Sequence, residues 1–138
     1  MAGINHIAVW VAGLVHFMLG AAWYTMFSKM WMAGIGKTET QLTAENAGSP
    51  APYIIGIVAA LVVAYAIAWL LPKLDAQSVV AGAKTGIVLA LAFIGSTLAM
   101  NYGFELRPLS LLLINAGYMT VGMAVMGGIV GGWRKRNP

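Results

Sequence analysis

Cysteine is absent from the chain. That excludes disulfide scaffolds, thiolate metal sites and cysteine nucleophiles. Charge is scarce as well: 9% of residues are charged, and the acidic ones are only Glu39, Glu45, Asp75 and Glu105. A soluble domain carries about 25% charged residues. A chain of 138 residues has too much surface to cover with so few charges. Paired carboxylates are missing, and no Ser/His/Asp arrangement is legible, so no catalytic residue is assigned and no enzyme is expected. His6 and His16, without carboxylate ligands beside them, do not make a zinc site. Met26, Met30 and Met32 have thioethers that suit Cu(I), but methionine is also ordinary apolar filler at an interface. No metal and no cofactor is assigned. Gly34-Ile35-Gly36-Lys37-Thr38 ends like a phosphate-binding loop, yet Trp31 stands where its first glycine belongs and no strand precedes it. Nucleotide binding is excluded on that ground. The excess of +4 is gathered at the C-terminus instead of forming a basic face, which suits lipid headgroups better than nucleic acid.

Hydrophobic residues make up 60% of the chain, and they fall into runs. The runs cover about residues 4–27, 53–71, 80–104 and 109–133, and none has a charge in its central stretch. Each is close to the roughly 20 residues with which a helix crosses about 30 Å of hydrocarbon. A spanning segment must satisfy its backbone internally, and runs this long are wrong for barrel strands. The expected fold is therefore all-α: one domain over residues 1–138, an integral membrane bundle of four transmembrane helices. Met1-Ala2-Gly3 lacks a basic leader, so the first run is read as a span that stays. Pro50 and Pro52 precede the second span, Pro72 ends it, and Pro108 opens the fourth. The connection between spans 3 and 4 is short and makes them a tight antiparallel hairpin. The only sizeable loop runs from Ser28 to Ala51. Within it Thr38-Glu39-Thr40-Gln41 has capping-box spacing and predicts a short surface helix to about Asn46. Trp31, with Met30 and Met32, is expected to rest at the membrane interface.

Polar residues inside the spans are the informative ones, because each costs free energy in lipid. They are His6 and His16 in span 1, Ser96, Thr97 and Asn101 in span 3, and Asn115 and Tyr118 in span 4. His16 lies roughly 18 Å along its helix from Ile4, near the midplane. Gly13, His16, Gly20 and Trp23 share a stripe on span 1. Asn101, Asn115 and Tyr118 fall in the same half of the bundle, Trp23 and Tyr24 close span 1 there, and Glu105 and Arg107 cap the hairpin. The candidate ligand-binding residues are therefore His16, Trp23, Tyr24, Asn101, Glu105, Arg107, Asn115 and Tyr118. They are expected to form one cluster, with the Glu105/Arg107 pair at its mouth. Small residues form a second pattern: Gly82, Gly86 and Ala90 on span 3, and Gly117, Thr120, Ala124, Gly127 and Gly131 on span 4. Such stripes let helix backbones approach closely, either within the bundle or between copies.

The chain resembles the bacterial membrane-protein family known as domain of unknown function 1761. The segments that carry the resemblance are Gly20-Ala21-Ala22-Trp23-Tyr24 with Trp31, Gly36-Lys37-Thr38-Glu39, Asn101-Tyr102-Gly103-Phe104-Glu105-Leu106-Arg107-Pro108 and Leu113-Ile114-Asn115-Ala116-Gly117-Tyr118. The resemblance implies a four-span bacterial inner-membrane protein and supplies no activity. Two functions follow from the residues themselves. One is a small oligomeric transport, channel or ligand-binding protein that uses the polar cluster. The other is a structural or accessory subunit that docks other membrane proteins through small-residue faces. The expected partners are the lipid bilayer and a second copy or another membrane protein, with no nucleic acid and no nucleotide.

Lys73, Lys84, Arg134, Lys135 and Arg136 share a side with the termini, against Lys29, Lys37 and Arg107 on the other. This bias places both termini in the cytoplasm. A cysteine introduced at Thr40 should then react with a membrane-impermeant reagent applied from outside the cell, and reaction only from the cytoplasmic side would reverse the topology.

Overall fold

The computed structural model describes residues 3–134. Among them there are helices and turns and no strand. Helix α1 covers His6–Met26, α2 Ser28–Ile35, α3 Glu39–Asn46 and α4 Ala51–Leu70, which runs into a 3₁₀ turn at Leu71–Leu74. Helix α5 covers Val79–Leu89 and passes through a π-turn at Ala90–Gly95 into α6, Ser96–Phe104; α7 covers Leu109–Gly132. The spans long and apolar enough to cross a membrane are His6–Met26, Ala51–Leu74, Val79–Phe104 and Leu109–Gly132.

Local chemistry sets the boundaries. The Asn5 side chain caps α1 by accepting from the Ala8 amide, and Ser78 caps α5 through the Ala81 amide. Thr38 and Gln41 make the expected reciprocal capping box on α3. Helix α2 departs from expectation, since the sequence predicts a loop from Ser28. It is a separate two-turn helix, stopped by Gly36 at φ 72°, a left-handed position that suits glycine. Trp31 and Met32 on it are half-buried, and Gly34 seats it on Leu111 of α7.

Helix α7 is the centre of the bundle, packing on α1, α4, α5 and α2, while span 3 packs chiefly on α7. The tightest crossing joins α5 to α7. A Cβ added at Gly82 would run into the Gly127 carbonyl, one at Gly86 into the Met123 carbonyl, and one at Gly127 into the Gly82 carbonyl. The backbones touch with no side chain between them. Lipid tails are as apolar as leucine, so helices in a membrane gain little from hiding apolar surface and much from such close approach. The apolar core lies in the half of the bundle nearest the termini. It is built of Val9 and Ala12 from α1, Ala64 and Ile67 from α4, Ala90 from span 3, and Met123 and Met126 from α7.

This packing separates adjacent glycines on α7. Gly127→Leu should open the α5–α7 crossing and destabilise the protein by about 1–3 kcal/mol or more. Gly128 has room for a methyl group, its nearest neighbour Val79 lying 3.6 Å from an added Cβ. Gly128→Ala should therefore change stability by no more than about 0.5 kcal/mol. Thermal unfolding in detergent checks both, and equal effects at the two positions would contradict the packing.

Candidate functional site

At the end of the bundle away from the termini, α1 and α7 run antiparallel and interlock through rings and glycines. The His16 imidazole lies directly against Gly122, where any Cβ would collide with Nδ1 and Cε1. In return the Tyr118 hydroxyl lies against Gly20, 2.7 Å from where a Cβ would stand. Each step of four residues along α1 is matched by a step of four back along α7, so each helix supplies one ring and one glycine. The two rings stack, with centroids 4.6 Å apart and planes 17° from parallel. The Tyr118 hydroxyl donates to the His16 carbonyl at 2.9 Å. His16 is only 4% exposed, and among the described residues its Nδ1 has no hydrogen-bond partner.

A polar chain continues from this lock toward the bundle end. The Tyr24 hydroxyl donates to Oδ1 of Asn115 at 2.8 Å, and Nδ2 of Asn115 donates to the Tyr102 hydroxyl at 2.8 Å. The amide thus bridges α1 and α6 from α7. The Tyr24 ring meets Tyr118 edge-on at 5.4 Å and Trp31 of α2 at 5.8 Å. Trp23 lies against Gly117, and its indole N–H donates to the Ile114 carbonyl at 3.0 Å. At the surface, Arg107 pairs with Glu105, and its guanidinium lies 5.5 Å from the centre of the Tyr102 ring. Ring contacts extend this hydrogen-bonded bridge in both directions, to the exposed ion pair through Tyr102 and to the buried imidazole through Tyr24 and Tyr118.

His16, Trp23, Tyr24, Asn115 and Tyr118 thus come together in the structure, and Glu105 and Arg107 stand at the surface beside them. Asn101 does not join them: it is exposed, and Tyr102 takes the place expected for it. The π-turn at Ala90–Gly95 is the reason. A π-turn spends one residue more than an α-turn, which rotates everything after it by about 100° relative to an unbroken helix. The face that meets α7 at Gly82, Gly86 and Ala90 is carried on through Ile94, Leu98 and Tyr102. Ser96 and Thr97 are exposed as well, and their hydroxyls donate back to the carbonyls of Ala92 and Phe93. His6 belongs to the other end, where its Nδ1 meets the Tyr65 hydroxyl at 2.9 Å. Gly122 was not singled out in sequence, although a ring at His16 requires a gap on the facing helix. Lys135 and Arg136, counted in the charge bias, lie outside the described residues.

The asparagine bridge yields a contrast. Tyr24→Phe and Tyr102→Phe each leave one atom of the Asn115 amide unpaired and should cost about 1 kcal/mol each. Asn101→Ala should be neutral within about 0.5 kcal/mol. Unfolding midpoints in detergent distinguish them, and a loss at Asn101 equal to that at Tyr102 would mean that the wrong residue has been placed in the bridge.

Comparison with curated proteins and with solved structures gives no match. A family model described as "Protein of unknown function (DUF1761)" matches residues 7–131, from the start of α1 to the last turn of α7. That match takes in every residue of the ring-and-glycine lock and of the asparagine bridge, and the chain therefore belongs to the DUF1761 family.

Proposed function

We propose that this multi-pass membrane protein binds a small polar or amphiphilic ligand at the end of the bundle away from its termini. Tyr24, Tyr102 and Asn115 would offer hydroxyl and amide contacts, and His16 would form the floor. The observation that carries this reading is the row of polar and aromatic side chains in contact from the Glu105/Arg107 pair to His16, with the Tyr24–Asn115–Tyr102 hydrogen bonds at its middle. A bundle held only by packing has no need of so many polar groups at membrane depth, where each is costly. Below His16 the interior turns apolar, with Val9, Ala12, Met123 and Met126. That supports binding over conduction through one chain. The reading includes a bacterial inner membrane, cytoplasmic termini, no enzymatic step, and a homo-oligomer or a membrane-protein partner to complete the enclosure that four spans leave open. The rival reading, docking through small-residue faces, loses support because α5 already covers Gly127.

The absence of cysteine permits a direct test. If the chain of polar groups is a ligand site, a small hydrophilic methanethiosulfonate should modify Asn115→Cys in intact membranes, while Val121→Cys, on an exposed face of α7, should resist. A correctly folded Asn115→Cys variant that stays unmodified would make the polar chain an internal fastening alone.

A further inference from the structure

Near the chain termini the bundle contains a half-open cavity of about 610 Å³. Its walls come from the start of α1, the end of α4 with its 3₁₀ turn, the linker before α5, and the end of α7. It is separate from the polar chain described above and shares no residue with it. We propose that this cavity binds the headgroup of an anionic phospholipid.

Several observations point to that ligand. First, its charge is of one sign: Lys73 and Arg134 line the cavity, and among the described residues none of those lining it is acidic. Second, the cations are held in place while keeping donors free. The Lys73 ammonium lies 4.4 Å from the centre of the Trp69 ring. Such contacts fix a cation over the ring face and leave its N–H groups available. Arg134 donates to the Gln77 carbonyl, which uses only part of a guanidinium that carries five N–H donors. Third, the frame is fixed by the ends of the first and last spans, since the Asn5 amide donates to the Trp133 carbonyl at 3.2 Å.

Position decides between a lipid and a soluble anion. The cavity lies where α1 begins and where α4 and α7 end, at the level of headgroups for any helix that spans the hydrocarbon. Trp69 and Trp133 line it and are 58% and 47% exposed. Tryptophan favours this interfacial level, where its ring meets both acyl chains and water. Ile4 and Leu71 add apolar wall. A phosphate with an attached glycerol and acyl chains matches this surface on both counts, charge toward Lys73 and Arg134, and chains toward the exposed indoles. Free phosphate would use only the cations.

Native mass spectrometry of the full-length protein, released from detergent with equal amounts of phosphatidylglycerol and phosphatidylcholine, tests the assignment. The wild type should retain phosphatidylglycerol preferentially. The double variant Lys73→Gln/Arg134→Gln, checked for an unchanged elution volume, should lose that preference by roughly tenfold or more. Lys84→Gln, which removes a cation from the same end of the bundle but not from the cavity, should keep it. Trp69→Leu should weaken retention while leaving the charge intact. Equal retention of both lipids by the wild type, an unchanged preference in the double variant, or an equal loss in Lys84→Gln would overturn the proposal. Displacement of the lipid by millimolar inorganic phosphate would overturn it too, in favour of a soluble anion.

Discussion

The structure depends on how closely α7 can be approached. Inside a bilayer, burying apolar surface against protein gains little over burying it against lipid, so helices are held by contact distance and by polar pairs. Helix α7 has room for neighbours on more than one face. Toward α5 it presents backbone, and the carbonyls of Gly82 and Gly127 fill the space that side chains would take. Toward α1 it presents Gly122 to an imidazole and receives a phenol at Gly20 in return. The first face brings the backbones of spans 3 and 4 together, and the second fixes register between spans 1 and 4. A helix of ordinary side chains could do neither.

The two halves of the bundle are built on different terms. The half nearest the termini is apolar, with Ile67, Leu71 and Met126 almost fully buried. The other half is aromatic and polar, with hydroxyls, an amide and an imidazole shared among α1, α6 and α7. The polar half needs pairing because an unpaired donor in hydrocarbon costs several kcal/mol. Asn115 meets this with both atoms of its amide engaged. The His16 ring does not meet it: only its backbone carbonyl accepts a hydrogen bond, and among the described residues its buried Nδ1 has no partner.

Much of this was legible in the sequence. Long uncharged runs and their prolines give the spans, because hydropathy acts on each segment alone. The capping box at Thr38 and Gln41 is equally local, and it forms as spacing predicts. The gathering of His16, Tyr24, Asn115 and Tyr118 followed from depth, since a polar group at a given level seeks partners at that level. Helical phase was not legible. Nothing in the composition of Ala90–Gly95 signals a π-turn, and that turn decides that Tyr102, not Asn101, faces Asn115. Helix α2 was hidden for a similar reason: eight residues that are partly polar and partly apolar have no strong pattern, and the seat of Gly34 on Leu111 orders them. The cavity at the termini depends on segments more than a hundred residues apart, Asn5 and Trp133 among them.

The position of span 3 also has a consequence for synthesis. Its main neighbour is α7, which leaves the ribosome after the other three spans, whereas α1 and α4 contact each other without it. Until α7 arrives, Gly82 and Gly86 face lipid with no backbone to fill the groove they leave. Spans 1 and 2 can therefore pair as soon as they are inserted, while span 3 waits as a lone helix. The bundle closes in one late step, when α7 enters between the earlier pair and the waiting span.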